Sequence, residues 1–181
     1  MTQYQVYFSN THRHFISFKG LFKHDKSEFI RFQLPSWRPG RYELGNFAKN
    51  IRSWKALDVN GKELSFIKIT KDLWQVNAAN CDQVIISYDY YASELNAGST
   101  YLDDEQLYIN PVNCFFYNTE AKETPYRIEF ELPSGYQIAT GLSKESPTVL
   151  IASGFDELAD CPLIASSSFQ HYQYQCNEVN F

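Results

Sequence analysis

Residues 29–35 read FIRFQLP. In an extended chain successive side chains point to opposite faces, so Ile30, Phe32 and Leu34 fall on one side and Arg31 and Gln33 on the other. Residues 127–133, RIEFELP, repeat the pattern: Ile128, Phe130 and Leu132 oppose Arg127, Glu129 and Glu131. Both segments read as half-buried strands, one face in a core and one in water. Residues 84–91, VIISYDYY, are apolar or aromatic on both faces and read as a central strand. Around Asn60-Gly61 the segments 51–58 and 63–70 read as a hairpin, because Asn and Gly tolerate positive φ. Further strands are expected at 3–9, 14–22, 72–77, 106–109, 148–152 and 168–175. Helical signal is weak. GNFAKNI (45–51) suits a turn or two, and FDELAD (155–160) carries early acids that favour a helix N-terminus before Pro162 stops it. The expected fold is all-β, an antiparallel β-sandwich of about ten strands with one or two short helical turns. No repeat, linker or composition shift divides the chain, so residues 1–181 read as a single domain.

Composition agrees with this reading. The chain has 181 residues, 44% hydrophobic and 20% charged, and Phe, Tyr and Trp make up 17%. A chain of this length buries roughly 70% of its unfolded surface. Disorder needs low hydrophobicity with high net charge, and neither holds. The surplus of 21 Asp and Glu over 16 Lys and Arg argues against a binder that neutralises phosphates, so no nucleic-acid partner is expected. No run approaches the roughly 18 apolar residues of a bilayer span, so no membrane partner is expected. The N-terminal MTQYQVYFSNTHRHF lacks the basic and apolar regions of a secretory signal. Cys81, Cys114, Cys161 and Cys176 are too widely spaced for a zinc-binding pair, and reduced thiols in a cytoplasm are the simplest expectation.

Few residues suggest chemistry. His12 and His14 would share a strand face and could share a metal, but no third ligand is evident and strand-end surface residues explain them as well. Asp103, Asp104 and Glu105 lack the further oxygens and Gly turn of a calcium loop and read as a solvated loop. There is no H-E-x-x-H, no G-x-S-x-G, no P-loop and no dinucleotide fingerprint. Tyr88, Tyr90 and Tyr91 with the three Trp could form a sugar-stacking platform, or supply bulk to a core. No catalytic residue and no metal site is expected in this chain.

The segment following the opening strand is more informative. In LPSWRPGRYELGNFAKNI (34–51), Pro35 and Pro39 remove two ladder donors and Gly40 permits a sharp bend. The strand must stop at Leu34 and turn, carrying Trp37 and Arg38 on a rigid corner. This arrangement resembles the L-P-x-W-x-P-G-x-Y motif in the N-terminal domain of glycyl aminopeptidase-like zinc metallopeptidases, whose longer members also carry a PDZ domain. WKALDVNGKEL (54–64) is similar to that family's hairpin, VIISYDYYA (84–92) to its V-x-V-x-Y-x-V-Y-A strand, and FDELADCP (155–162) to the Y-D-E-L-x-D-S-P segment before its catalytic domain. The resemblance runs from about residue 4 to about 175. It departs at Leu44-Gly45, where the family often has a charged residue, and at Cys161, often Ser.

The resemblance implies a non-catalytic N-terminal domain that packs on its own C-terminal, gluzincin-like catalytic domain, expected after residue 181. Such a domain walls off the cleft end that holds the free amine of a peptide substrate. Zinc is implied for the parent's catalytic domain and no cofactor for this chain. The family's substrate-amine contact comes from the loop before the strand matching 126–132. That points to Asn110 and Asn113, with Tyr117 as cleft wall; the alternative is that both Asn are turn residues flanking Pro111. Trp37, Arg38, Asp156 and Asp160 are the interface candidates, Trp37 having core filling as its alternative. An isolated chain exposing such a patch would self-associate. The competing function is a stand-alone binding module, such as a carbohydrate-binding β-sandwich.

Overall fold

The alternation seen in the sequence translates directly into strands. The structure, a computed structural model, describes residues 1–38, 40 and 43–180, apart from the side chain of Asn180. Pro39 and Tyr42 of the corner motif lie outside the described residues. In chain order the strands are β1 (Thr2–Tyr7), β2 (Phe15–Lys23), β3 (Phe29–Gln33), β4 (Ile51–Leu57), β5 (Phe66–Thr70), β6 (Leu73–Asn77), β7 (Gln83–Tyr91), β8 (Tyr101–Leu102) and β9 (Gln106–Ile109). They continue with β10 (Tyr117–Asn118), β11 (Tyr126–Phe130), β12 (Gln137–Thr140), β13 (Ser143–Ser146), β14 (Val149–Ala152), β15 (Leu163–Ser166), β16 (Gln175–Cys176) and β17 (Val179–Asn180). Two short helices, α1 (Pro111–Cys114) and α2 (Phe155–Asp160), and 3-10 turns at Thr11–Arg13 and Phe47–Asn50 complete the described elements.

The all-β sandwich expected from the sequence is the observed architecture. A seven-stranded sheet runs in the order β13-β14-β11-β1-β2-β7-β4, and four-stranded sheets run β10-β3-β6-β5 and β12-β15-β9-β8. Pairing is antiparallel except that β1 lies parallel to β11, Thr2 beside Tyr126 through Val6 beside Phe130. Ile30, Phe32 and Leu34 are buried, as are Ile128 and Phe130. Each such side chain contributes about 1.5–3 kcal/mol by leaving water. The seven-stranded sheet meets the β3–β6 sheet through aromatics: Phe22 lies edge-on to Phe32 at 4.8 Å, and Trp54 stacks on Trp74 at 5.8 Å. Gly20 makes room beneath this layer, since a Cβ there would press into the rings of Tyr4 and Phe22.

Three expectations are corrected. The turn at Asn60-Gly61 forms, with Gly61 at φ 83 and its N–H on Asp58 O at 3.1 Å, but the flanking strands do not pair along their length. β4 joins β7 in one sheet and β5 joins β6 in another, and near the turn the two arms meet through the Leu57–Glu63 bridge and the Leu64 N–H to Ala56 O bond. A turn signal fixes a local bend; where the strands go next is settled by the core each face can reach. Residues 168–174 are not a strand. His12 and His14 do not share a strand face either. Residues 11–13 form a 3-10 turn, which His14 closes in the left-handed region at φ 55.

Candidate functional site

The segment 110–117 is held from below by tyrosines that the strands present inward. Tyr4 of β1 donates its hydroxyl to Phe116 O at 3.1 Å and accepts the Phe116 N–H at 3.2 Å. Tyr88 of β7 donates to Cys114 O at 2.6 Å. Burial pushes both phenols well above their ordinary range, so they stay neutral donors at any working pH. Phe115 inserts edge-on against Tyr4 at 4.9 Å and Phe18 at 5.1 Å, and Phe116 sits edge-on to Tyr88 and Trp74. With residues 114–116 pinned, α1 starts above them at Pro111, where the missing N–H is no loss. Asn110 precedes it in an extended conformation without a side-chain capping bond. Asn113 turns inward, giving Nδ2 to Gly98 O at 2.9 Å while its buried Oδ1 has no partner. Beyond α1, the half-buried Tyr117 ring packs on Phe155 at 4.5 Å; burial raises its phenol, with Lys122 acting in the opposite sense.

A second wall comes from the corner after β3. Leu34 N–H bonds Asp72 O at 2.9 Å, and the Ser36 hydroxyl donates to the Asp72 carboxylate, which also accepts Thr70 Oγ1 at 2.6 Å. The chain then presents Trp37, 54% exposed, and Arg38, whose Nη1 donates to Ala97 O at 3.1 Å. The Arg38 guanidinium lies against Gly98, and a Cβ there would collide with it. The third side is α2. Asp156 pairs with Lys122 Nζ at 2.5 Å, a contact that raises the lysine, and Phe155 N–H bonds Lys122 O at 3.0 Å.

These elements enclose a groove of about 850 Å³. Six of the seven residues singled out in the sequence line it: Trp37, Arg38, Asn110, Tyr117, Asp156 and Asp160. Asn113 does not; it faces a smaller recess of about 190 Å³ behind α1, shared with Arg38, Tyr90 and Glu94. Sequence reasoning missed Lys122, Phe155 and Val112, which also line the groove, and Asp72, which holds its corner. Lys122 sits in a polar loop and meets Asp156 only through the fold, so nothing local announces it. Chemically the groove mixes apolar surface (Trp37, Val112, Pro35, Pro162) with two cations and two carboxylates.

Other candidates separate. His12 Nδ1 lies 3.6 Å from Asp104, and His14 Nδ1 lies 2.6 Å from Leu102 O. Among the described residues no group of three or more His, Cys, Asp or Glu is placed to hold a metal ion. Asp103 accepts the N–H groups of Glu105 and Gln106, forming a tight loop. The sugar-stacking platform does not form. Tyr88, Tyr90 and Trp74 alternate into the core and are buried, and Trp54 stacks on Trp74 with Phe66 edge-on to it, leaving Tyr91 alone of the three tyrosines exposed.

Residues 3–167 match the peptidase M61 N-terminal domain family. None of the curated proteins matches the chain significantly. The crystal structure of an aminopeptidase N family protein from Idiomarina loihiensis superposes with a TM-score of 0.89 at 23% identity, covering 99% of this chain and 31% of that one. An M1 zinc metallopeptidase mutant from Deinococcus radiodurans, bound to a Tyr-Ser-Ala substrate, gives a TM-score of 0.48 at 9% identity over 99% of this chain and 45% of that one. The chain therefore spans less than half the length of these solved proteins, and the first of them shows the same fold.

Proposed function

The chain belongs to the peptidase M61 N-terminal domain family, and on that premise we propose that it is the non-catalytic N-terminal domain of a zinc aminopeptidase. The groove packs on the catalytic domain and closes the cleft end that receives the substrate's free amine. The supporting observation is the convergence of Trp37, Arg38, Asn110, Tyr117, Asp156 and Asp160 on one groove from three separate parts of the sequence. A closed cleft end is how an exopeptidase counts from a terminus. Asn110 and Tyr117 stand at that end, where a carbonyl or hydroxyl oxygen can accept from an α-ammonium in charge-assisted bonds. Asn113, behind them, keeps the 97–98 loop against α1. Zinc, held by the parent's catalytic domain, would act as the Lewis acid.

In the parent enzyme, Asn110→Ala is expected to lower kcat/KM for a glycyl substrate about tenfold, the scale of one lost charge-assisted bond. Unchanged kcat/KM in Asn110→Ala would defeat the substrate-end assignment. The coding sequence after residue 181 is expected to carry H-E-x-x-H and a downstream Glu. A stop codon there would leave a stand-alone binding module in front.

A further inference from the structure

Among the described residues Asp72 is the one carboxylate that is buried, 7% exposed. A buried carboxylate is costly unless its oxygens are satisfied. Here each oxygen accepts a hydroxyl: Oδ1 from Thr70 in the same turn, Oδ2 from Ser36 in the corner. Its backbone carbonyl also accepts Leu34 N–H at 2.9 Å and Gln33 Nε2 at 3.0 Å. Three bonds thus run from the β5–β6 turn to residues 33–36, immediately before Trp37. On its far side the corner has the Gly45 N–H to Ser36 O bond at 2.7 Å and Arg38's reach to Ala97.

We propose that Asp72 is the positioning residue of the groove: its carboxylate, bridging Ser36 and Thr70, fixes the corner that presents Trp37 and Arg38 to the docked domain. The presentation to a partner rests on the function proposed above; the tether itself does not. Burial drives the Asp72 carboxyl upward, but the hydrogen bonds from Ser36, Thr70 and Gln33, with Lys71 nearby, outweigh it and leave the group below the usual range. Lys71 on the same turn and the Tyr117 phenol across the groove are the titratable groups that face it. With the folded value depressed, the tether is complete above the ordinary Asp value of about 3.9 and is lost as pH falls through the lower folded value. At neutral pH the corner is held.

The test follows the Trp37 indole Nε1–H resonance in the ¹⁵N-labelled chain, assigned by its disappearance in Trp37→Phe. In wild type it should shift in step with the Asp72 carboxyl as the sample is acidified. Asp72→Asn should displace it already at pH 7 and abolish that step, since an amide cannot accept from both hydroxyls as a carboxylate does. Ser36→Ala removes one hydroxyl only and decides the matter if Asp72→Asn does not fold: it should displace the resonance in the same direction. A Trp37 resonance superimposable on wild type in either folded variant would overturn the tether. If the resonance moves as expected while Trp37→Ala leaves the parent's kcat/KM unchanged, the tether stands and the docking reading fails.

Discussion

The two walls of the groove are built on different physics. The wall carrying α1 rests on a dry floor, where Phe115 and Phe116 are fully buried and the hydroxyls of Tyr4 and Tyr88 hold the backbone at 114 and 116. The wall carrying Trp37 rests on hydrogen bonds, those of the Asp72 carboxylate and carbonyl among them, and its indole is half in water. One wall is therefore as firm as the core itself, because moving it would open a cavity and strand buried polar groups. The other is held by hydrogen bonds to one buried residue, Asp72, rather than by packed rings. On the function proposed above, the ring-packed wall closes the cleft end and the hydrogen-bonded corner meets the neighbouring domain.

The sharpest way to break this contrast is Phe115→Ala. The ring is buried between Tyr4 and Phe18, so truncation should cost about 3–5 kcal/mol, read as a lower urea midpoint at constant m. A loss under about 1 kcal/mol would show that the floor is soft. Tyr88→Phe is the next largest. It leaves the Cys114 carbonyl buried without its donor and should cost about 1–3 kcal/mol, with slowed hydrogen exchange at 114–116 turning fast.

How much of this was legible in advance differs between the walls. Alternation placed Ile30, Phe32, Leu34, Ile128 and Phe130 in the core correctly, because period two is a local property of an extended chain. The corner was legible from Pro35 and the residues after it, and the resemblance to a known motif drew Trp37, Arg38, Asp156 and Asp160 into one list. What could not be read was contact across the chain. The parallel β1–β11 pair joins residues more than a hundred apart. Asp72 meets Ser36 only once β3 has paired with β6, and Lys122 meets Asp156 only once the segments after β10 and β14 come together. The same holds for Asn113: the resemblance set it beside Asn110, but the single turn of α1 aims it inward to Gly98.

A smaller perturbation tests how the corner wall is clasped. Gly98→Ala would push the Arg38 guanidinium aside and break its bond to Ala97 O. The cost should be about 0.5–1 kcal/mol, since the bond is exposed. In a double-mutant cycle the effect should largely vanish on an Arg38→Ala background. Full additivity would mean that Arg38 does not hold the loop.

The smallest expected stability effect is the most telling. Trp37 is 54% exposed and lies at the groove rim, so Trp37→Ala should change unfolding free energy by no more than about 0.5 kcal/mol. A loss of 2 kcal/mol or more would make it a core residue and remove the distinction between the walls. If stability is kept, the indole is free to act elsewhere. An aromatic ring left on the surface of a groove that Pro35 and Pro162 also line offers apolar area, and such patches draw molecules together. Wild type at high concentration should then sediment faster than a monomer, and Trp37→Ala as a clean monomer. The combination of an unchanged midpoint and a lost association would mark Trp37 as a residue that the fold supports without needing it, as a docking surface requires.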